Sequence, residues 1–352
     1  MNQGETVPPH RQEAIGRVVA AVGNAQRVVL TTHVNADGDG TGSQAALAAW
    51  LTLRGTQVSI VNPTAFPDTF RFLLQDDSII ADAGTVAADR ALAACDLIVV
   101  IDTAEHGRIG RVAKALKDRA VVVIDHHVDG GKSIQGESVI DPSASAAGEL
   151  IHDFMVTAEL PRPWPQQVLE GIYTAIVTDT GSFRFSNTTR RAHAIAGDLI
   201  EQGVDPEQMY RRIFATVPLR RVELLRHALE TLEVDREYAI TSISLERGVM
   251  EGLGASSDDL DGIIDHARSI EGTEVALLFR ETSDGSTKVS FRSAGAIDVN
   301  AVARQFGGGG HIKASGALMA GTLAVVRPRV LEATRRAVRE GLADFRAAEE
   351  QA

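Results

Sequence analysis

Residues 120–127 read Ala-Val-Val-Val-Ile-Asp-His-His, an unbroken apolar run that ends at once in a carboxylate and two imidazoles. Three similar runs precede it, at 28–32, 57–61 and 97–101. Because these runs are nearly continuous rather than alternating, they are typical of strands buried on both faces, as in a parallel sheet covered by helices. Helical patterns accompany them at 43–54, 145–156 and 166–178. The sequence therefore predicts an α/β fold with a parallel sheet in its N-terminal part.

The composition narrows the function classes. The chain has 352 residues, a size typical of about two domains, and a formal net charge of −12. An acidic chain lacks the basic footprint that long nucleic acid requires, so we expect no long duplex as a partner. A single cysteine, Cys95, excludes an internal disulfide and a thiolate cluster. Since neither a leader pattern nor a long apolar segment is found, we expect a cytoplasmic protein without membrane contact.

The second half of the chain has a different pattern. Residues 190–232 are Arg-rich and helical in character, whereas 237–246, 274–281 and 287–292 favour strands, with a hairpin signal at 283–286. A long helical pattern closes the chain at 324–348. We therefore predict three parts, with the active site in the cleft between the first and the third. They are a catalytic domain at 1–190, a helical connector at 191–233 and a smaller α/β domain at 234–352.

Histidine and aspartate residues follow the predicted strands. In open parallel sheets, ligands bind beyond the carboxyl ends of the strands, because the loops there converge. Taken singly, each of these residues has an ordinary interpretation as a helix cap, a turn residue or a satisfied core group. Taken together on one rim, they indicate a shared site. The residues after the strands are His33, Asp37, Asp39, Asp102, Asp125, His126 and His127, and Asp179 follows the helical pattern at 166–178.

Such a set has the chemistry of a metal centre. Imidazoles with several carboxylates and no thiolate suit Mn²⁺, Mg²⁺ or Zn²⁺, and the oxygen-rich composition favours the first two. Such a set offers more ligands than one ion needs. Two ions about 3.5–4 Å apart would clamp a phosphoryl group and hold a hydroxide for in-line attack. The predicted reaction is hydrolysis of a phosphate ester or anhydride.

The order and spacing of these residues resemble the DHH phosphoesterase family, whose Asp-His-His motif corresponds to Asp125-His126-His127. The resemblance implies one ion on His33, Asp37 and Asp102. It implies a second ion on Asp39, Asp102, His126 and Asp179, with Asp102 as the bridge. It also implies that Asp125 orients a histidine and that His127 faces the substrate, so that Asp102, Asp125 and His127 form the catalytic group.

One position departs from the family pattern. The first motif usually reads His-x-x-Pro-Asp-Gly-Asp, and Ala36 stands here in place of the proline. Proline restricts the backbone before the two aspartates, so its replacement by Ala36 leaves the rigidity of this loop open.

The C-terminal part resembles the DHH-associated domain of the branch that contains nanoRNases and pAp phosphatases. The resemblance rests on Gly307-Gly308-Gly309-Gly310-His311 and on Ala314-Ser315-Gly316. Four glycines let backbone N–H groups approach an anion, and a flexible linker is the ordinary alternative. The predicted substrate-binding residues are His127, Arg292, Ser293, Gly308, Gly309, Gly310 and His311, and Lys288 can share the face of Arg292.

The resemblance implies a short substrate. Short oligoribonucleotides, linear dinucleotides such as pGpG or pApA, and pAp are the expected partners, with two Mn²⁺ ions as cofactor and Mg²⁺ as the alternative. Family alternatives are an inorganic pyrophosphatase and a RecJ-like single-strand exonuclease, and the non-enzyme alternative is a nucleotide sensor with an inactive site. The sequence leaves the oligomeric state open, with a homodimer as one option.

Overall fold

The computed structural model describes residues 6–127, 132–260 and 262–349. It divides into two compact units, Met1–Thr216 and Val217–Ala352. Within the described residues no helix combines the length and the apolar character needed to cross a membrane. The finer division at 1–190, 191–233 and 234–352 stays a prediction.

The first unit is built on a five-stranded, all-parallel sheet with the order β2-β1-β3-β4-β5. This arrangement confirms the predicted α/β fold. Its strands are β1 (Arg27–Thr31), β2 (Gln57–Ile60), β3 (Leu97–Ile101), β4 (Ala120–Asp125) and β5 (Glu137–Ile140). Its helices are α1 (Pro9–Gly23), α2 (Gly38–Leu53), α3 (Val86–Ala94), α4 (Ala147–Thr157), α5 (Gln166–Asp179), α6 (Arg190–Glu201) and α7 (Pro206–Ile213).

Alternate residues of the central strands supply two separate cores, as expected for a sheet covered on both faces. Val99 and Ile101 of β3 pack with Leu47 of α2 and Leu150 of α4. On the other face, Ile98 and Val100 belong to a second cluster. All five residues of β3 are buried. Burial on both faces explains why this strand reads as a continuous apolar run.

Two glycines bring α2 and α5 into close contact. A Cβ on Gly42 would lie 2.4 Å from the carbonyl oxygen of Gly171, and a Cβ on Gly171 would lie 2.6 Å from that of Gly42. The helix expected from Ser43 begins instead at Gly38, because the Asp37 side chain caps it by accepting the N–H groups of Asp39 and Gly40. The first turn of α2 is therefore part of the predicted site.

The second unit has a six-stranded mixed sheet with the order β10-β11-β9-β8-β7-β6. Strands β7 and β8 pair in parallel, and the other neighbours pair antiparallel. Its strands are β6 (Glu233–Asp235), β7 (Ile240–Leu245), β8 (Val275–Glu281), β9 (Ser286–Ser293), β10 (Gly309–His311) and β11 (Ala314–Ala320). Its helices are α8 (Leu219–Glu230), α9 (Val249–Gly252), α10 (Ile263–Arg268), α11 (Val299–Arg304) and α12 (Leu323–Glu349).

One local expectation for this unit needs correction. The strand expected from Glu237 begins at Ile240, since Ala239 has a φ of 52°, which an extended strand does not contain. In the glycine run, Gly309–His311 pairs with Ala314–Gly316 as an edge strand, so these residues do not form the flexible linker that was the ordinary alternative. The smaller α/β domain itself is confirmed.

Candidate active site

The loop after β1 and the first turn of α2 carry three predicted ligands. The carboxylate of Asp37 accepts the N–H groups of Asp39 at 3.1 Å and Gly40 at 3.2 Å, which fixes it at the start of α2. Asp39 is 1% exposed and accepts a further bond, 3.3 Å long, from the Ser43 hydroxyl. Nε2 of His33 lies 3.7 Å from a carboxylate oxygen of Asp37. The N-terminus of α2 therefore gathers these side chains on one edge of the sheet.

Hydrogen bonds hold the loop around Ala36, where the family pattern that the sequence resembles usually has a proline. The N–H of Val34 donates to the carbonyl of Arg108 at 2.8 Å, and the N–H of Asn35 donates to the Thr64 hydroxyl at 2.8 Å. Asn35 has a φ of 57°, which asparagine tolerates better than most residues. Since a residue before proline favours the extended region, Ala36 is compatible with this conformation of Asn35.

Asp102 lies at the end of β3 between the histidines. Its Oδ2 lies 3.2 Å from Nε2 of His33, and its Oδ1 lies 3.5 Å from Nε2 of His126 and 3.6 Å from Nδ1 of His127. It is 2% exposed, and its φ of 63° is a costly conformation for a residue other than glycine. The surrounding structure thus holds this carboxylate in a strained position that faces three imidazoles.

The Asp-His-His motif ends β4. Oδ1 of Asp125 accepts the N–H groups of His126 at 2.8 Å and His127 at 3.1 Å, and it lies 2.9 Å from Nδ1 of His127. Nε2 of His126 lies 3.4 Å from an oxygen of Asp39 and 3.7 Å from an oxygen of Asp179. Asp125 therefore contacts the ring of His127 and the backbone N–H groups of both histidines, and His126 faces the carboxylates of Asp39 and Asp179.

Neighbouring backbone and one amide support the ligands, and the sequence did not reveal them. The N–H groups of Ala147 and Gly148 donate to Asp39 at 2.6 and 2.9 Å. Nδ2 of Asn187 donates to Oδ2 of Asp179 at 3.0 Å and to the carbonyl of Ser145 at 2.9 Å. A lone asparagine eight residues after Asp179 forms no local pattern, so sequence inspection offers no signal for it.

The ligand atoms form three overlapping groups, and within each group they lie within 4.8 Å of one another. One group is His33, Asp37 and Asp102; another is Asp39, His126 and Asp179; the third is Asp102, His126 and His127. The structure thus brings all the predicted metal ligands together at the carboxyl ends of the strands.

The buried ionisable groups in this cluster shift one another's pKa values. Burial opposes the charge on His33, but its bonds with Asp102 and Asp37 outweigh this and raise the pKa of His33 to about 10. The pKa of His126 also rises to about 10, because Asp102 and Asp39 outweigh the effect of burial. Burial and nearby carboxylates raise the pKa of Asp179 to about 6. Protonated groups balance buried negative charge here, and a divalent cation would balance it after displacing protons.

The donor set fits a metal ion. Oδ1 of Asp102 and Nε2 of His126 are buried, and neither has a hydrogen-bond partner among the described residues. A buried polar atom without a partner is costly, whereas a cation between these atoms would satisfy both. Oxygen and imidazole donors suit Mn²⁺, Mg²⁺ or Zn²⁺. The cluster can therefore hold metal.

The sheet of the second unit places the two predicted cations on one face. Across the antiparallel register, His311 pairs with Ala314, and Ala314 pairs with Arg292. Residues directly opposite each other share a face, so the side chains of Arg292 and His311 lie on the same side of the sheet. Ser293 lies on the other side, is 3% exposed and donates to the carbonyl of Gly295.

The predicted glycines differ in their environments. A Cβ on Gly308 would lie 2.2 Å from the carbonyl oxygen of Gly316, so this glycine permits close packing of the chain. Gly310 has a φ of 145°, and a Cβ there would lie 2.6 Å from the carbonyl oxygen of Ala314. Gly309 is exposed within β10. Backbone packing accounts for Gly308 and Gly310.

Arg292 also lines a pocket of about 160 Å³. Arg280, Lys288 and Ser290 line the same pocket. Lys288 and Arg280 are register partners, so they share this face with Arg292. Asp265 also lines the pocket and forms an ion pair with Arg268 at 3.0 Å. The face is therefore locally basic on a chain whose net charge is −12.

Two family models match the chain. The N-terminal domain of the DHH family matches residues 27–176, and the DHHA1 domain matches residues 237–340. The chain belongs to the DHH family. The predicted family and its associated domain are thereby confirmed.

Relatives cover nearly the whole chain. The bifunctional oligoribonuclease and PAP phosphatase NrnA of Thermus thermophilus is 31% identical, over 91% of this chain and 93% of its own length. The protein of the same name from Bacillus subtilis is 28% identical, over 82% of this chain and 88% of its own length. An exopolyphosphatase-related protein from Bacteroides fragilis has the same fold, with a TM-score of 0.82, 25% identity and coverage of 94% and 96%.

Proposed function

We propose that this DHH-family enzyme hydrolyses short oligoribonucleotides and linear dinucleotides to mononucleotides, and that it converts pAp to AMP. The observation that carries the proposal is the position of Asp102 between the two ligand groups, which supports two adjacent metal positions in one site. Both NrnA relatives are named for these two activities. Their identity extends over both matched domains, which supports the same substrate class.

Two Mn²⁺ ions, or Mg²⁺ in their place, fit the proposed centre. The first would be held by His33, Asp37 and Asp102, and the second by Asp39, Asp102, His126 and Asp179. When bound, such a pair supplies Lewis acidity at the phosphate and lowers the pKa of water for attack on phosphorus. The lack of thiolate ligands favours these hard cations over softer ones.

His127 is the side chain best placed to act on the substrate. It is 42% exposed, whereas the ligands Asp39 and Asp102 are almost completely buried. Because Nδ1 of His127 is bonded to Asp125, Nε2 is the atom available to donate to a phosphate oxygen or to the leaving group. Asp125 would set the orientation of this ring, and its carboxylate is kept in place by the backbone N–H groups of His126 and His127, which donate to it.

The basic face of the second unit is the proposed site for the nucleotide. Arg292 and His311 share this face, and the small residue Ala314 lies between them in the register. A small side chain leaves room for a base or a sugar between two donors. Guanidinium groups bind phosphate well because they donate several hydrogen bonds in a fixed plane. The N–H groups of Gly309 and Gly310 are additional candidates for this contact.

A turnover assay tests the proposal. The full chain would be incubated with pApA, pGpG and pAp in Mn²⁺, in Mg²⁺ and in EDTA, and the products separated by chromatography. We expect mononucleotides from the dinucleotides and AMP from pAp, both abolished by EDTA. Rapid cleavage of pyrophosphate with none of pApA would contradict the proposal and favour a pyrophosphatase. Binding of pApA without turnover would favour a sensor.

A further inference from the structure

Arg11 is a buried cation on the first helix. It lies in α1, is 3% exposed, and donates through Nε to Asp141. Its Nη1 donates to Glu149 at 2.7 Å and to Asp153 at 2.9 Å. Arg191 of α6 also forms ion pairs with Glu149 and Asp153. Burial of an unpaired charge destabilises the folded state, and here the charge of Arg11 is paired. Because a guanidinium donates several hydrogen bonds in a fixed plane, this network requires an arginine at its centre.

Two of the three carboxylates that Arg11 contacts, those of Asp141 and Glu149, lie at the ends of one short stretch, residues 141–149, which we name the α4 entry segment. The third, Asp153, lies further along α4. At its start, the Asp141 carboxylate also accepts the N–H of Ser143 at 2.8 Å. At its end, Glu149 accepts both the N–H and the hydroxyl of Ser145, at 3.0 and 2.9 Å. Arg11 thus binds the two carboxylates whose hydrogen bonds with Ser143 and Ser145 stabilise the conformation of the segment.

Polar backbone atoms of the α4 entry segment contact one of the two proposed ligand groups. The carbonyl of Ala144 lies 3.3 Å from Nδ1 of His126. The N–H groups of Ala147 and Gly148 donate to Asp39, and the carbonyl of Ser145 accepts the amide of Asn187 that also binds Asp179. His126, Asp39 and Asp179 are therefore all held, directly or through Asn187, by this segment.

The other ligand group has different supports. Nδ1 of His33 lies 2.9 Å from the carbonyl of Val34 in its own loop, and Asp37 caps α2. Among the residues that the structure describes, the hydrogen bonds of the α4 entry segment reach neither His33 nor Asp37.

We propose that Arg11 is a positioning residue for the second metal position through three of its four ligands, Asp39, His126 and Asp179, and that it acts through the α4 entry segment. The inference rests on the proposed two-ion site. A planar guanidinium holds three carboxylates at once in fixed directions, which a lysine ammonium does not reproduce. Loosening the segment moves the groups that orient these ligands while leaving the ligands themselves in the chain.

Calorimetric titration of the full chain with Mn²⁺ tests the inference. In Arg11→Lys we expect the binding step that belongs to the second position to lose about 10- to 100-fold in affinity, the usual cost of losing a group that supports a ligand. The step that belongs to His33 and Asp37 should change by less than about twofold. His33→Ala and Asp179→Ala, titrated in parallel, assign the two steps. Excess Mn²⁺ should restore much of the turnover of pApA by Arg11→Lys.

Two further variants keep the test decisive. Glu149→Gln preserves the size of the side chain but removes its ion pair with Arg11, so it should weaken the same step even if Arg11→Lys does not fold. Arg17→Lys is the matched control, since Arg17 lies on the same helix, is half exposed and pairs with Glu13 and Glu137. Thermal unfolding without metal measures any loss of stability separately.

The outcomes separate this inference from the function on which it rests. If the unaltered chain binds fewer than two Mn²⁺ ions, the proposed function itself fails. If it binds two, and Arg11→Lys and Glu149→Gln bind both with unchanged affinity at a lower Tm, Arg11 stabilises the fold only and the inference is wrong. An equal loss at both steps would also overturn it.

Discussion

Oδ2 of Asp102 lies 3.2 Å from Nε2 of His33, across the ends of the neighbouring strands β1 and β3. The other oxygen of the same carboxylate faces His126, which belongs to the second ligand group. One side chain therefore contacts both groups. Its backbone is held in the left-handed region by the N–H of Asp102, which donates to the carbonyl of Ile124 at 2.8 Å.

Replacement of Asp102 by asparagine should abolish turnover without unfolding the protein. The change removes a negative charge shared by both metal positions, so the loss in kcat/KM should exceed the roughly 10- to 100-fold typical of groups that only support a ligand. Asparagine tolerates a positive φ, so the fold should survive. Cleavage of pApA across a Mn²⁺ titration measures the effect.

Asp89→Asn is the control for this variant, because Asp89 is an exposed aspartate in the first turn of α3. It should behave like the unaltered chain at every Mn²⁺ concentration. Near-normal turnover by Asp102→Asn at saturating Mn²⁺ would contradict a bridging role.

Replacement of Arg292 or His311 by alanine should separate substrate holding from metal chemistry. Each variant loses a donor on the basic face, and turnover of pApA should weaken by about 1–3 kcal/mol in transition-state free energy. Binding of Mn²⁺ should be unchanged, because neither residue belongs to the metal-ligand groups. Kinetics with pApA and with a small generic phosphodiester, such as bis-p-nitrophenyl phosphate, measure the two properties separately.

Arg329→Ala controls for the loss of a positive charge in the same unit, since Arg329 is exposed on α12. Its rates should match those of the unaltered chain. If Arg292→Ala slows the small phosphodiester as much as pApA, the basic face has a structural role instead.

Asp198 should contribute to stability in a way that depends on pH. It is 4% exposed and pairs with Arg162. Burial raises its pKa, but His152 and Arg162 outweigh this and lower the pKa to about 2. Because the folded form binds this proton less readily than the unfolded form, the contribution is complete above about pH 4 and is lost as the pH falls through about 2.

The expected size of this contribution is about 2 kcal/mol in the free energy of unfolding. Denaturant unfolding of Asp198→Asn at pH 7, 4 and 2.5 should show lower stability at pH 7 and a flatter dependence below pH 4. Asp68→Asn is the control, since Asp68 is exposed and pairs with the partly exposed Arg71. Parallel pH curves for Asp198→Asn and the unaltered chain would refute the assignment.

Some parts of the fold and of the candidate site are predictable from the sequence, and others are not. The runs that form β1, β3 and β4 are predictable because burial on both faces leaves a continuous apolar signal. The positions of Asp102 and His126 directly after two of these runs suffice to place both residues on one rim. In contrast, β5 is only four residues long and includes a glutamate and a serine, so its pattern is too weak to predict a strand. The contacts of Arg11 are not predictable either, because its hydrogen bond with Glu149 spans 138 residues and leaves no local pattern in the sequence.

Substrate length should govern the rate. If Arg292 and His311 bind one end of a short substrate, added nucleotides gain few contacts. They would also meet a chain whose net charge is −12, which repels further phosphates. We therefore expect kcat/KM to be highest for two to about four nucleotides and to decline for longer strands.

Competing substrates of two, five, twelve and twenty-four nucleotides, at low and moderate salt, test this expectation. Salt screens repulsion between exposed charges, so the decline with length should become less steep as ionic strength rises. Attraction to a basic track has the opposite signature, because binding through many phosphate contacts weakens with added salt. A rate that climbs with length at low salt and collapses at moderate salt would therefore indicate a RecJ-like mode of action on long single strands.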